Sequence, residues 1–366
     1  LADKVEDKEK SLVFLSIMTI ISAIATSCLW FVLPTSDLTT EAQNWMIVLT
    51  LVLSYFAIIT NDGVYTFYNA MLPSVADKEG MGRVSGWAFG IGYISGLVAL
   101  FLALPIVAPD MFGLSEPLFG ISKDNATNIR ITMPFVSLWL LIFSIPLFIY
   151  CPEPEKAEGT SFKETFVSGL RAVNEIPGLL RFLIARMFYA DALVVVFAMG
   201  GIYAGTVFGF SIGGPISQNL IVFGILLNLT SGIGAILGGY SDDFLGSYIT
   251  LKIALMALIL SSLAALLTSS LTIFWVAGAC LGFFIGPVQS CTRVLVANAV
   301  PQEEMRSRIF GLFMFSGKAT SFVGPFLYGL FVTIFETSRA GMSVALILLV
   351  VGLVLLARRP PGFQES

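Results

Sequence analysis

Apolar residues arrive in this chain as long unbroken runs, not as the alternation of a strand or the narrow stripe of a surface helix. Ten runs stand out, at about 12–33, 45–71, 84–107, 132–151, 182–207, 217–239, 249–269, 272–296, 308–335 and 340–357. Each reaches or exceeds the roughly 18 residues that cross a hydrocarbon core about 30 Å thick. Lipid offers no partners for exposed N–H and C=O groups, so the runs are predicted to be helices. The fold class is therefore an all-α, polytopic membrane protein.

Orientation follows from the loops. If segment 1–11 lies in the cytoplasm and the spans alternate, the cytoplasmic side holds fourteen basic residues, among them Lys78, Arg83, Lys156, Lys252, Arg306 and Arg308. The other side then holds three: Lys123, Arg130 and Arg339. This bias places both termini inside. The longest cytoplasmic connection, 152–181, separates four spans in 1–151 from six in 182–366. Within it Ser161-Phe162-Lys163-Glu164 matches a capping box, and Phe162, Phe166, Leu170 and Val173 recur at helical spacing. An amphipathic helix is predicted there, closed by Pro177.

Composition agrees with a lipid environment. Hydrophobic residues make up 56% and charged residues 12%, against about 25% charged in soluble domains. The net charge of -4 is spread over loops, which argues against a nucleic-acid partner. Cys28, Cys151, Cys280 and Cys291 lack metal or redox spacing and read as packing residues. With no histidine in the chain, proton-coupled chemistry has to use carboxylates. No catalytic nucleophile setting and no phosphate-binding loop is present, so neither an enzyme nor an ATP-driven pump is expected, and no cofactor or metal is called for.

The two parts repeat. Glu79-Gly80-Met81-Gly82-Arg83-Val84-Ser85-Gly86 aligns with the block from Met305 to Gly311, setting Arg83 on Arg308, Gly86 on Gly311 and Gly92 on Gly317. Each block opens a span after a short charged turn. Ala2-Asp3-Lys4 pairs more weakly with Ser241-Asp242-Asp243. Duplicated halves with a substrate site between them are a signature of transporter folds. Four spans against six predicts two further spans ahead of Leu1, twelve in all.

Six-plus-six helices with a long middle loop resemble the major facilitator superfamily. Leu1-Ala2-Asp3-Lys4 with Lys8 and Lys10 looks like the tail of its loop motif, and Gly239-Tyr240-Ser241-Asp242-Asp243 like a degenerate second copy. More narrowly, Asn61-Asp62-Gly63-Val64-Tyr65-Thr66-Phe67-Tyr68-Asn69-Ala70-Met71-Leu72-Pro73, Arg186-Met187-Phe188-Tyr189-Ala190-Asp191 and the block from Arg306 to Lys318 are similar to the autophagy-related vacuole-effluxer-like family. The resemblance implies secondary transport, with amino acids as one substrate class, in a cell or inner membrane, or in a vacuolar membrane in a eukaryote.

Charges at bilayer depth are rare and usually functional. Asp62, Arg186, Asp191, Arg293 and Lys318 qualify. Asp191 and Lys318 sit about ten residues into their spans, hence roughly 15 Å deep. A charge there needs a proton or an opposite charge beside it. The reading is a central cavity lined by Asp62, Asp191 and Lys318, with Arg186 and Arg293 towards its cytoplasmic end. Tyr65, Tyr68, Asn69, Tyr189, Asn228 and Gln289 supply hydrogen bonds to it. Asp191 is the proton carrier and Lys318 the anchor for an anionic group; the alternative is a structural ion pair or a side chain reaching to the interface.

A cytoplasmic gate is expected where loops cross to the opposite half, as they do in the resembled superfamily: Asp3 near Arg308, and Asp242 near Arg83. Glycines four apart (Gly86/Gly90, Gly92/Gly96, Gly201/Gly205, Gly234/Gly238 and Gly282/Gly286) predict close helix crossings. The expected partners are a small polar solute, a proton or another coupling ion, and the bilayer, in a monomer. A non-transporting sensor or scaffold, or a lipid-moving protein, is the rival reading.

Overall fold

The computed structural model describes residues 10–35, 38–151, 173, 175–210, 218–300 and 303–358, the backbone alone for 10, 11 and 303–307. Asp3 and the predicted amphipathic helix at 161–177, apart from Val173 and 175–177, lie outside these residues.

Eleven long helices make up the described chain: α1 Lys10–Cys28, α2 Thr40–Ala70, α3 Met81–Val107, α4 Thr132–Tyr150, α5 Leu179–Phe208, α6 Gln218–Leu245, α7 Ser247–Leu267, α8 Leu271–Ala299, α9 Glu303–Lys318, α10 Val323–Phe335 and α11 Ser338–Leu355. They supply ten spans long and apolar enough to cross a membrane, matching the ten runs read from the sequence, because α9 and α10 share the run Arg308–Phe335.

Three departures from the predicted elements have physical causes. Helix α2 begins at Thr40 because Thr39 caps it, its side chain accepting from the Ala42 N–H. Helix α6 continues to Leu245, so Asp242 and Asp243 occupy its last turn, not a loop. Gly246, at φ +84°, then makes the turn into α7. The ninth run is interrupted at 319–322. Pro325 sits in the first turn of α10; it has no N–H to reach back to residue 321, and its ring crowds that carbonyl.

Packing divides the chain into two compact units, Leu1–Met71 with Gly96–Lys156, and Leu72–Ser95 with Ala157–Ser366. In the first, α1 packs against α2 and α4. The Ser22 and Ser137 hydroxyls donate to Ala57 O (3.2 Å) and Ala23 O (2.5 Å). Arg130 caps the end of the first span: its Nε donates to Trp30 O at 2.8 Å and its guanidinium lies 4.8 Å from the Trp30 ring centroid.

In the second unit α6 and α8 touch backbone to backbone. A Cβ on Gly234 would lie 1.8 Å from Phe283 O, and one on Gly286 would lie 2.2 Å from Ser231 O. The Ser231 hydroxyl uses that proximity to donate to Gly282 O at 2.9 Å. The first half of α3 runs along α6 just as closely, with Gly86 against Ala235 O and Gly90 against Ile236. Among the described residues a Cβ on Gly92 or Gly96 would meet nothing within 4 Å and one on Gly201 only Leu220 at 3.9 Å, so no close approach is seen at these three glycines. Arg339 repeats the role of Arg130, donating to Leu266 O and, at 2.7 Å, to Thr268 O at the end of α7.

Gly234→Ala should therefore destabilise the second unit by about 1–3 kcal/mol through overpacking against a carbonyl that cannot move aside. Gly92→Ala should leave the unfolding midpoint in detergent unchanged. Equal midpoints for both variants would disprove the close α6–α8 contact.

Candidate functional site

The predicted site residues fall into the two units. Asp62, Tyr65, Tyr68 and Asn69 lie on α2 in the first. Asn69 is buried, Asp62 and Tyr68 are half-buried and Tyr65 is exposed, its ring edge-on to Tyr68 at 6.4 Å. The remaining cavity candidates belong to the second unit.

There α5 brings Arg186, Tyr189 and Asp191 to the interrupted ninth span and to α8. Arg186 Nη1 donates to Phe313 O and to Ser316 Oγ (3.0 Å), and its guanidinium carbon lies 3.6 Å from the Phe313 ring centroid. Its charge thus sits near the C-terminal end of α9, where the helix dipole is negative. Gly317 makes room, since a Cβ there would lie 2.5 Å from Arg186 Nη1. Tyr189, 2% exposed, shares a 3.0 Å hydrogen bond with Thr292 Oγ1 of α8.

Asp191 is 3% exposed. Its Oδ1 accepts a hydrogen bond from Thr320 Oγ1, inside the interruption, at 3.2 Å. Among the described residues no lysine or arginine forms an ion pair with it. Behind it Gly324 allows α10 to approach, a Cβ there falling 2.9 Å from Asp191 O. Lys318, the last residue of α9, is exposed.

Arg293, 2% exposed, donates from Nε to Ser85 Oγ at 3.1 Å and lies 5.3 Å from the Phe89 ring centroid. Ser85, itself fully buried, passes the bond on to Ser290 O at 3.0 Å. Gln289 Oε1 accepts from the Tyr93 hydroxyl at 3.0 Å. Asn228 donates to Gly224 O of its own helix at 2.8 Å. Arg186 and Arg293 thus tie helices to one another, whereas Asp191 is held by a single neutral hydroxyl.

At the cytoplasmic gate predicted from sequence, the carboxylate that meets Arg83 is that of Asp243, not Asp242. Arg83 Nε lies 2.6 Å from Asp243 Oδ2, and the same carboxylate accepts from the Arg83 backbone N–H at 3.3 Å, in the first turn of α3. Asp242 points inward, 5% exposed, accepting from the Ser247 hydroxyl at 2.6 Å. One step along a helix turns a side chain by about 100°, so two adjacent aspartates cannot serve one arginine. Arg308 is half-buried; its expected partner Asp3 lies outside the described residues.

Sequence reading missed Ser85, Ser316 and Thr320, small hydroxyl residues inside apolar runs, and gave Gly317 only a place in the repeat. The signal available was Pro325 following Gly317-Lys318-Ala319-Thr320-Ser321, a cluster of helix breakers and hydroxyls in mid-span.

The fold and sequence have known counterparts. The chain is 12% identical to a single-residue variant of the Escherichia coli fucose:proton symporter FucP, with a TM-score of 0.69 over 96% of this chain and 85% of that one. The proton:xylose symporter XylE likewise gives a TM-score of 0.69 at 12% identity, over 97% of this chain and 80% of that one. In sequence it is 23% identical to the uncharacterized MFS-type transporter YxiO of Bacillus subtilis (strain 168), over 87% of this chain and 72% of that one. It is 24% identical to autophagy-related protein 22 of Cryptococcus neoformans var. neoformans serotype D (strain B-3501A), over 75% of this chain. The match covers 52% of that fungal protein, so the chain spans about half its length. The family described as "Vacuole effluxer Atg22 like" matches residues 1–359. With ten spans of a major facilitator fold and this match along nearly its whole length, the chain belongs to the Atg22-like vacuole effluxer family of membrane transporters.

Proposed function

We infer that the protein is a secondary active transporter that moves a small polar solute, with amino acids as the first class to test, by alternating access coupled to a proton or another ion. The observation that carries this reading is Asp191: a carboxyl buried in the middle of an apolar span, against an interrupted helix, with no ion pair to a cation among the described residues. A permanent charge there is costly, and a structural role would call for a counter-ion. A group that takes up and releases a proton or binds a cation in each cycle needs no permanent partner. FucP and XylE, which share this fold, are proton symporters.

Lys318, exposed at the end of α9, is assigned to an anionic group of the solute. Asp62, Tyr65, Tyr68 and Asn69, on α2 of the first unit, are separately assigned to solute binding within that unit. Both termini are assigned to the cytoplasm, where the basic loops lie. Arg83 and Asp243 then form part of the cytoplasmic gate. Their exposed ion pair alone is worth about 0–1 kcal/mol, a scale suited to a contact that opens in every cycle.

Uptake by the full-length protein in proteoliposomes, screened over amino acids with and without a pH gradient, tests the reading. Asp191→Asn and Lys318→Ala should each reduce gradient-driven uptake by at least about tenfold, at near-normal amounts of folded protein. Undiminished uptake in both would end the assignment. Reversing the gate charges offers a separate check: Arg83→Asp and Asp243→Arg should each slow transport, and the double variant should recover most of the rate. No recovery, with both proteins folded, would remove the pair from the gate.

A further inference from the structure

The interruption of the ninth span is unusual in where its two sides are held. On one side Arg186 fixes the end of α9 through Phe313 O, Ser316 Oγ and the Phe313 ring. On the other side Asp191, five residues further along α5, accepts from Thr320 in the break itself. Within the break, Ser321 N–H donates to Lys318 O (3.2 Å) and Val323 N–H to Thr320 O (2.7 Å), three-residue steps in place of the helical four. Such a turn is tighter than a continuous helix, and its hydrogen-bond geometry is poorer. The fixed side is therefore multiply bonded and cationic, and the other side hangs on one hydroxyl.

We propose that Thr320 is a latch that reads the protonation state of Asp191 and converts it into a change of conformation at residues 319–322. This rests on the assignment of Asp191 as the coupling group. With the carboxyl ionised, the Thr320 O–H donates to a charged acceptor, a bond roughly twice as strong as a neutral one. When water on one side of the membrane delivers a proton to the carboxyl, the charge is gone and the bond weakens. The segment 319–322 is then released while Arg186 keeps α9 anchored. Return of the proton to water on the other side restores the bond, so the proton is carried and not consumed.

The ionisable groups of the packed elements leave Asp191 in control. Helix α5 itself adds Arg186, engaged with α9, and Tyr189, bonded to Thr292. Helix α8 carries Arg293, held on Ser85, and Cys291, which lies towards Asp242. Lys318 ends α9, Tyr328 is on α10, Arg339 opens α11 at the far end, and Asp242 and Asp243 close α6. Among the described residues none of these forms an ion pair with Asp191. Thr320 is thus a positioning residue acting through Asp191.

Hydrogen exchange of the 313–326 segment in the full-length protein in nanodiscs tests the latch without a solute. Between about pH 8 and about pH 5, after correction for intrinsic exchange, the wild type should lose protection by about fivefold, the difference between a charged and a neutral hydrogen bond. Asp191→Asn and Thr320→Val should show the low-protection state at both pH values, and Thr320→Ser should restore the pH dependence. A pH response that survives in Asp191→Asn, or a Thr320→Val protein exchanging like the wild type, would overturn the latch. Gradient-driven uptake by the wild type separates the two ideas: uptake with a pH-insensitive segment rejects the latch alone, and a pH-dependent segment without uptake rejects the transporter reading alone.

Discussion

Hydrocarbon supplies no hydrogen bonds, so every backbone group and every charge inside the membrane has to find its partner within the protein. Continuous helices meet this demand on their own; an interrupted helix does not. The break at 319–322 is the point where this chain departs from the simple solution, and the second unit is arranged around it. Arg186 brings positive charge to the end of α9, Thr320 turns its hydroxyl to Asp191, and Gly317 and Gly324 let α5 close in on both sides. Both charged residues in the interior of α5 thus bond to this stretch of the ninth span, Arg186 before the break and Asp191 within it.

Rigid surroundings make such a break usable. Helices α6 and α8 meet with their backbones in contact through Gly234, Gly282 and Gly286, and the start of α3 lies on α6 in the same way. Packed backbone atoms leave little room for adjustment. Helix α8 in turn holds Thr292 against Tyr189, beside Asp191 on α5. The arginine clamps make the same point away from the site: Arg130 and Arg339 each reach the carbonyls that end an earlier helix, at matching places in the two units. Both belong to the loops with few cations, where each finds the negative end of a helix dipole.

Individual charges have different work. Arg186 and Arg293, expected towards the cytoplasmic end of the cavity, each bond to another helix, Arg186 to the Phe313 carbonyl and Ser316 hydroxyl and Arg293 to the Ser85 hydroxyl. Asp243 takes the contact with Arg83 expected of Asp242, which is turned inward onto Ser247. Asp191 and Lys318 differ from these, one buried on a single hydroxyl and the other exposed where a helix stops.

The sequence by itself determined the number of spans and their helical state, because length and hydropathy are one-dimensional properties and lipid leaves the backbone no alternative. It also marked the repeat and the buried charges, since an aspartate in an apolar run is conspicuous wherever it ends up. Only the tertiary structure decided which neighbours those charges meet. Pro287 remains inside α8 whereas Pro325 stands beside a break, although both lie in apolar runs. Asp242 and Asp243 are indistinguishable as letters, and one residue of helical rotation separates a buried carboxyl from an ion pair with Arg83. The cluster before Pro325 marks Thr320 only as part of a weak stretch of helix, and Ser85 carries no signal at all, because a hydroxyl that bonds its own helix and one that bonds a distant aspartate or arginine read alike until the helices are packed.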